Sequence, residues 1–174
     1  MRTEQITNSL LNTIEVYESI LAGVSEESFI QSPSHGSWSY SETYSYIFQS
    51  GLLSLIAIEN CIQQNAEFSR KSIQWIPTLI LFFGRFPPGK IKAPKRIASM
   101  VKKISKEEAK TLILKFKLRL QEISHVVNSA DPHQKIKHPR LGLLNAKQWF
   151  RFIEIHTIHH VKQLKRIEKQ LGNA

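Results

Sequence analysis

The sequence predicts an all-α protein built as a four-helix bundle. Four long segments repeat apolar residues every three or four positions, the spacing that places them on one face of a helix. The seven prolines concentrate in connecting stretches, at Pro33, Pro77–Pro94 and Pro132–Pro139, where long helices cannot continue. With 174 residues, 41% of them hydrophobic, the chain is long enough for one core, so we expect a single domain over residues 1–174.

The first predicted helix runs from about Thr3 to Leu21. Its apolar residues recur at three- and four-residue intervals and form one inward stripe. This stripe consists of Ile6, Leu10, Ile14, Tyr17 and Leu21. The following residues 25–39, SEESFIQSPSHGSWS, contain Ser, Pro and Gly, so we expect the helical pattern to stop there.

The second predicted helix begins near Tyr40 and runs to about Gln64. Ser39 is followed three residues later by Glu42, which is the capping-box signature of a helix start. Apolar residues cover most of the helix circumference and predict contacts on several sides. Polar residues along one stripe either bond to one another and to water or line a site. They are Glu42, Tyr46, Gln49 and Asn60.

A short extra helix is predicted from about Ile73 to Phe83, in the connection between the second and third long helices. Its bulky side chains can cap the core, contact a second copy of the chain or touch a membrane surface. Packing in the core or in a dimer is the favoured interpretation, because the stretch is short and lacks a clear polar face. These side chains are Trp75, Ile76, Leu79, Phe82 and Phe83.

The third predicted helix follows a second capping box, Ser105 with Glu108, and ends near Ser129. Its inward residues again recur every three or four positions. They are Leu112, Phe116, Leu120, Ile123 and Val127. The fourth helix follows Asn145, a good N-cap residue with a glutamine three positions on, and stops before Gly172.

Two histidines interrupt the inward stripe of the fourth helix, which is otherwise apolar. The stripe reads Trp149, Ile153, His156, His160, Leu164, Ile167 and Leu171. His156 and His160 are four residues apart, so a helix stacks them on one face, where two neutral ring nitrogens can hold one metal ion. The alternative is a pair of core histidines satisfied by protein hydrogen bonds.

The formal net charge of +10 raises the question of a nucleic-acid partner. The densest basic cluster comprises Lys90, Lys92, Lys95, Arg96, Lys102, Lys103 and Lys106. It lacks the interleaved aromatic residues that stack on bases and carries no recognisable nucleic-acid motif. A solvated connector is therefore favoured, and no specific nucleic-acid partner is predicted.

The sequence favours a cytoplasmic protein that does not span a membrane. Its N-terminus, MRTEQITNSLLNTIEVY, lacks the pattern of a secretory signal. The longest apolar run, Trp75–Phe83, contains a proline and is far shorter than the roughly 20 residues that a membrane span needs. Cys61 is the single cysteine, so no internal disulfide can form, which suits a reducing compartment.

Two motifs of this sequence resemble the DinB-like superfamily, which includes bacillithiol transferases and mycothiol-dependent maleylpyruvate isomerases. The first is W-S-x-x-E, formed by Trp38, Ser39 and Glu42. The second is longer and more specific. It contains His138, Pro139, Gly142, Leu144, Gln148, Trp149, Phe152, His156, His160, Gln163 and Leu164. The resemblance implies an up-down-down-up four-helix bundle, often a homodimer, with a divalent metal such as nickel or zinc held by three histidines.

The resemblance assigns two of these metal ligands to His156 and His160. The third belongs eight residues after the tryptophan, and this position is Tyr46. A phenol with a pKa near 10 binds a metal only once its proton is lost. Tyr46 therefore coordinates as phenolate, hydrogen-bonds a water that takes the third place with help from His159 or Gln49, or donates its proton to a histidine without metal.

The function implied by the resemblance is that of a metal-dependent thiol transferase or hydrolase. A metal would lower the pKa of a low-molecular-weight thiol, or of water, for attack on an electrophilic small-molecule substrate. Tyr46 is then the predicted catalytic residue, as a ligand or proton donor. Because the first histidine is lost, the alternative is a non-catalytic bundle that binds a small molecule or a protein partner. Whether the chain is an enzyme is left open at this point.

Overall fold

The computed structural model describes residues 2–87 and 101–172 and confirms the predicted four-helix bundle. The long helices are α1 (Thr3–Gly23), α3 (Tyr40–Ile62), α5 (Lys106–Val126) and α6 (Ala146–Leu171). The short helices are α2 (Glu26–Ile30) and α4 (Trp75–Phe83), and a 3-10 turn, Val127–Ser129, follows α5. The short strands are β1 (Glu67–Phe68), β2 (Gln134–His138) and β3 (Gly142–Asn145).

The predicted start of each of the last three long helices is confirmed by its cap. At α3 the Ser39 hydroxyl accepts from the Glu42 amide, and the Glu42 carboxylate accepts from the Ser39 amide at 2.9 Å. The same reciprocal capping box begins α5 at Ser105 and α6 at Asn145. These caps satisfy backbone donors that the first helical turn leaves without an intrahelical partner.

The core lies between the inward stripes of the four long helices. Every residue of the stripe predicted for α1 is buried. In α5 the prediction is off by one residue at one position, because Ile113 is buried there while Leu112 is only partly buried. Two tyrosines link three helices through the core: Tyr17 donates to the Thr157 carbonyl oxygen at 2.9 Å, and Tyr44 donates to the Tyr17 carbonyl oxygen at 2.7 Å.

Contacts near the helix ends define the up-down-down-up order. Thr3, at the start of α1, hydrogen-bonds Asn128 beyond the end of α5, while Val24, after the end of α1, accepts from Lys106 at the start of α5. These two helices are therefore antiparallel. Helix α3 runs parallel to α5 and antiparallel to α6. The contacts that show this are Ser41–Ile104, Phe48–Phe116, Glu59–Arg119, Thr43–Gln163 and Tyr46–His156.

The three strands form a small antiparallel sheet, in the order β1-β2-β3, that the sequence interpretation missed. The prediction treated residues 130–145 as a turn and connector. Each strand is five residues or shorter, so hydrophobic alternation is too brief to signal it. The β2–β3 hairpin turns at Gly142, whose φ of 79° favours glycine, and it holds His138 against α6. Helix α2 was also missed, and it buries Phe29.

Helix α4 corrects the prediction that its bulky residues pack in the core. Only Pro77 and Ile80 of this helix are buried, and five large apolar side chains are exposed. Of the basic cluster predicted nearby, Lys90, Lys92, Lys95 and Arg96 lie outside the described residues. The core interpretation is thus wrong for α4, and the two surface interpretations stay open.

Within the described part of the chain, α3 alone is long and apolar enough to cross a bilayer by those two criteria, with a mean hydropathy of 1.2 over its most apolar window. Half of that window is buried inside the bundle, as is common for the core helix of a helical protein.

Candidate functional site

The antiparallel packing of α3 on α6 brings all three predicted site residues together. The Tyr46 hydroxyl lies 3.2 Å from His156 Nε2. The Tyr46 ring centroid lies 5.3 Å from that of His156 and 5.2 Å from that of His160, and the two imidazole centroids are 4.7 Å apart. The phenol therefore faces both imidazoles, in the position where the resemblance implies a third metal ligand.

Gln163 sets the tautomer of His160. His160 Nδ1 lies 2.7 Å from Gln163 Oε1, and Gln163 Nε2 lies 3.5 Å from the Thr43 hydroxyl. The amide carbonyl only accepts hydrogen bonds, so His160 Nδ1 carries the proton and donates. The lone pair is then on His160 Nε2. Metal-binding histidines show this same arrangement, in which the second ring nitrogen donates to a protein oxygen.

His156 has a different environment, because its Nε2 already has a partner. The Tyr46 hydroxyl can donate to a neutral imidazole nitrogen, and the distance of 3.2 Å is at the long end of the range for a hydrogen bond. The His156 ring also stacks on Phe152, with an interplanar angle of 18°. Trp38 packs against Tyr46, and their ring centroids are 5.1 Å apart. Aromatic side chains thus enclose the Tyr46–His156 pair.

Burial keeps the imidazoles of this site neutral near pH 7. It lowers the pKa of His156 well below its usual range, and the neighbouring histidines lower it further. Burial likewise lowers the pKa of His160 to about 4, although its bond to Gln163 acts in the opposite direction. The pKa of Tyr46 is raised by burial, while the Arg140 charge lowers it. The site therefore holds neutral bases and a neutral phenol.

His138 belongs to the same group of rings, although the sequence interpretation gave it no role. Its Nδ1 accepts from the Arg140 amide at 3.1 Å and from the Leu141 amide at 3.0 Å, so the proton of the neutral ring is on Nε2. Its ring lies 4.4 Å from that of Phe152. Burial and the Arg140 charge lower the pKa of His138 to about 4. The motif that carries the family resemblance includes His138, and this was the available signal.

His159 borders the site, whereas Gln49 and Cys61 have other neighbours. His159 is half-buried and packs its ring 5.2 Å from Phe86 and 5.1 Å from His160. Gln49 donates to the Ser45 hydroxyl at 2.7 Å, within its own helix. Cys61 is fully buried, and burial raises the pKa of its thiol to about 11, which makes it a poor nucleophile.

Two side chains of the site, His156 and His160, are suitable ligands for one divalent cation. His156 and His160 are neutral imidazoles with adjacent rings, which suit zinc or nickel better than magnesium or calcium. Across residues 2–87 and 101–172, no group of three or more His, Cys, Asp or Glu side chains is arranged to hold a metal. A third protein ligand would therefore be Tyr46, whose proton burial helps to retain.

We expect the metal-free protein to lose stability steeply as the pH falls from about 6.5 to about 4. Burial lowers the pKa values of four histidines in the folded chain, so the unfolded chain binds more protons in this window. Stability then rises with pH by up to roughly 1.4 kcal/mol per pH unit for each such histidine. Urea unfolding at stepped pH values, with a chelator present, measures this slope.

Two histidine variants make this pH prediction specific. His138→Gln should reduce the slope of unfolding free energy against pH by the contribution of one proton, up to about 1.4 kcal/mol per pH unit. The reason is that it removes a histidine buried against Phe152. His125→Gln is the matched control, since His125 is exposed on α5, and it should leave the slope unchanged. Equal slopes in both variants would contradict the burial of His138.

Comparison with known proteins supports the fold. Neither a known family model nor a curated protein matches this sequence. The fold is similar to that of YfiT from Bacillus subtilis, described as a probable metal-dependent hydrolase with an unusual four-helix bundle topology; the TM-score is 0.64 at 8% identity over 98% of this chain and 88% of YfiT. It is also similar to TT2238, a four-helix bundle protein, with a TM-score of 0.53 at 14% identity over 95% of this chain and 99% of TT2238. At these identities the likeness establishes a four-helix bundle.

Proposed function

We propose that this chain is a metal-dependent enzyme that activates water or a low-molecular-weight thiol against a small electrophilic substrate. The observation that carries the proposal is the neutral His156–His160 pair, in which Gln163 holds the Nδ1 proton of His160 and leaves Nε2 available. The similarity of the fold to YfiT, a probable metal-dependent hydrolase, supports this reaction class.

His156 and His160 would hold the metal, with Tyr46 as the third ligand. A divalent cation there would lower the pKa of a water molecule or thiol, so that hydrolysis or thiol transfer can proceed near neutral pH. Gln163 orients His160, and Phe152 restrains the ring of His156 by stacking. When Tyr46 keeps its proton, its hydroxyl can donate to a leaving group.

Metal binding tests this proposal directly. Untagged protein stripped with a chelator should take up about one equivalent of zinc or nickel in a calorimetric titration. His160→Ala should weaken that binding by at least about a hundredfold, because one of two imidazole ligands is lost. His125→Ala, at an exposed position on α5, is the control and should bind like the parent. Equal affinity in both variants would contradict the site.

The nucleophile can be identified separately from metal binding. The metal-loaded protein is supplied with a chromogenic ester, or with a chromogenic electrophile together with a low-molecular-weight thiol. Ester turnover supports hydrolysis, and thiol-dependent turnover supports transfer. In either case His156→Ala should abolish turnover, because the metal position would then lack a ligand.

A second candidate function is a non-catalytic bundle that binds a small molecule or a protein partner. The observation in its favour is the Tyr46–His156 hydrogen bond, which satisfies His156 Nε2 with protein groups alone. This candidate predicts that the parent takes up no stoichiometric metal and that His156→Ala changes stability without removing a cellular phenotype. A small-molecule substrate, a homodimer, a cytoplasmic location, the lack of a specific nucleic-acid partner and membership of the DinB-like superfamily stay predictions.

A further inference from the structure

Helix α4 presents an apolar face to solvent that the proposed function does not use. Trp75 is 71% exposed, Phe82 is 77% exposed and Phe83 is 58% exposed. Together with Ile76 and Leu79, these residues follow the spacing of one helix face. We call these five residues the α4 face. Soluble monomers rarely leave such a contiguous group of large apolar side chains uncovered.

The bundle contacts one side of this helix and leaves its apolar face outward. On the inner side Pro77 and Ile80 are buried. Arg151 of α6 donates from Nε to the Leu81 carbonyl oxygen at 3.1 Å, near the C-terminal end of α4. Gly84 ends the helix with a φ of 66°, and a Cβ atom there would collide with the Arg151 guanidinium. These contacts on the inner side of α4 orient the α4 face toward the outside of the bundle.

Nearly all of the net charge of the protein lies in the segment that contains α4. Residues 68–104 hold nine of the 24 Lys and Arg residues and none of the 14 Asp and Glu residues. The other 137 residues carry a net charge of only +1. Arg85 lies two residues beyond the end of the helix, and its guanidinium is 5.9 Å from the Phe83 ring centroid. An exposed aromatic helix is thus flanked in the sequence by an excess of positive charge.

This combination selects among the surfaces that could cover the α4 face. A second copy would bring together two helices that are each flanked by Arg70, Lys71 and Arg85, with no acidic residue in the segment that contains α4, which is unfavourable. Nucleic acid would neutralise the charge but leave the aliphatic residues Ile76 and Leu79 unburied. A membrane with anionic lipids satisfies both features, because apolar side chains enter the interface while basic residues attract the headgroups.

We propose that the α4 face docks this protein onto the surface of a membrane rich in anionic lipids. Trp75, Phe82 and Phe83 enter the boundary between headgroups and acyl chains, and basic residues that flank α4 in the chain provide electrostatic attraction. They are Arg70, Lys71 and Arg85. The protein lies on the membrane without spanning it. This inference is independent of the metal site, and either can fail alone.

Vesicle co-sedimentation tests the docking proposal. The probe is a phosphatidylcholine vesicle with about 30 mol% phosphatidylglycerol, at about 0.15 M salt. We expect binding to this vesicle, none to pure phosphatidylcholine, and a blue shift of tryptophan fluorescence from the exposed Trp75. Absence of binding to the anionic vesicle would overturn the proposal.

Matched variants separate insertion from charge attraction. Phe82→Ser with Phe83→Ser should weaken vesicle binding by at least about tenfold. Leu114→Ser with Leu118→Ser removes two exposed apolar residues of α5 instead and should bind like the parent. Unchanged binding in the phenylalanine variant would overturn the proposal, because charge alone would then explain the attraction.

A second pair of variants tests the charge and the competing occupant. Arg70→Glu with Arg85→Glu should reduce binding more than Lys115→Glu with Lys165→Glu, although both pairs change the net charge equally. Light scattering of the parent then tests the dimer. A dimer that the Phe82→Ser and Phe83→Ser changes convert to monomers would assign the α4 face to a second copy and overturn the proposal.

Discussion

Replacing Tyr46 with histidine is expected to tighten the binding of zinc or nickel by at least about a hundredfold. The pKa of a phenol lies roughly three units above pH 7, so its ionisation there costs free energy. Burial raises the pKa of Tyr46 further. A neutral imidazole has no such cost. The imidazole is also shorter than the phenol, so it would stop short of the hydroxyl position 3.2 Å from His156 Nε2 and leave space for a cation. Calorimetric titration measures the change.

Two further variants define what this result means. Tyr46→Phe removes the hydroxyl without adding a nitrogen, so it should bind metal no more tightly than the parent. Tyr46→His combined with His160→Ala should lose most of the gain, because it returns to two imidazoles. If Tyr46→His alone binds no better than the parent, the three side chains do not converge on one position. If only Tyr46→His binds metal, the non-catalytic candidate is favoured for the natural chain.

Replacing Arg151 with alanine is expected to destabilise the protein by about 3–5 kcal/mol. Its guanidinium forms an ion pair with Glu154, whose side chain is only 3% exposed. Without Arg151 this carboxylate loses its ion pair inside the protein, which is far more costly than losing an exposed pair. The hydrogen bond from Arg151 to the Leu81 carbonyl oxygen is lost as well. Urea unfolding measures the loss.

Matched variants identify the source of this loss. Lys110→Ala breaks an ion pair of the same three-residue spacing with Glu107, but both side chains are exposed, so its effect should lie within experimental error. Arg151→Met combined with Glu154→Leu removes both charges and should be far less destabilised than Arg151→Ala. If this double variant is as unstable as the single one, an unpaired buried charge is not the cause.

The long helices and the starts of three of them were predictable because their signals are local. Ser39, Ser105 and Asn145 cap helices at the predicted positions, since each needs only a partner three residues away. The burial of His156 followed from its place on an apolar stripe of period 3.6. Strand β1 was not predictable in this way, because it pairs with residues of β2 that are far away in the chain. Strands β2 and β3 form a local hairpin, but each is too short for its hydrophobic alternation to be recognised.

The composition of the site was only partly predictable. The sequence identified Tyr46, His156 and His160, and the packing of α3 on α6 brings these three together. The sequence interpretation overlooked that Gln163 follows His160 by three residues on the same helix, a spacing that lets the two side chains meet. It could not indicate that the β2–β3 hairpin adds His138 to the rings, because that contact depends on the relative positions of separate elements.

By itself the sequence determined the four long helices, three of their caps and the histidine pair on α6, because helical period and capping act over a few residues. Only the tertiary structure decided that the Tyr46 hydroxyl faces His156 Nε2 and that the apolar face of α4 points outward. An apolar side chain has the same sequence signature whether a core or another surface covers it. The packing of the whole chain settles which of its faces are left uncovered.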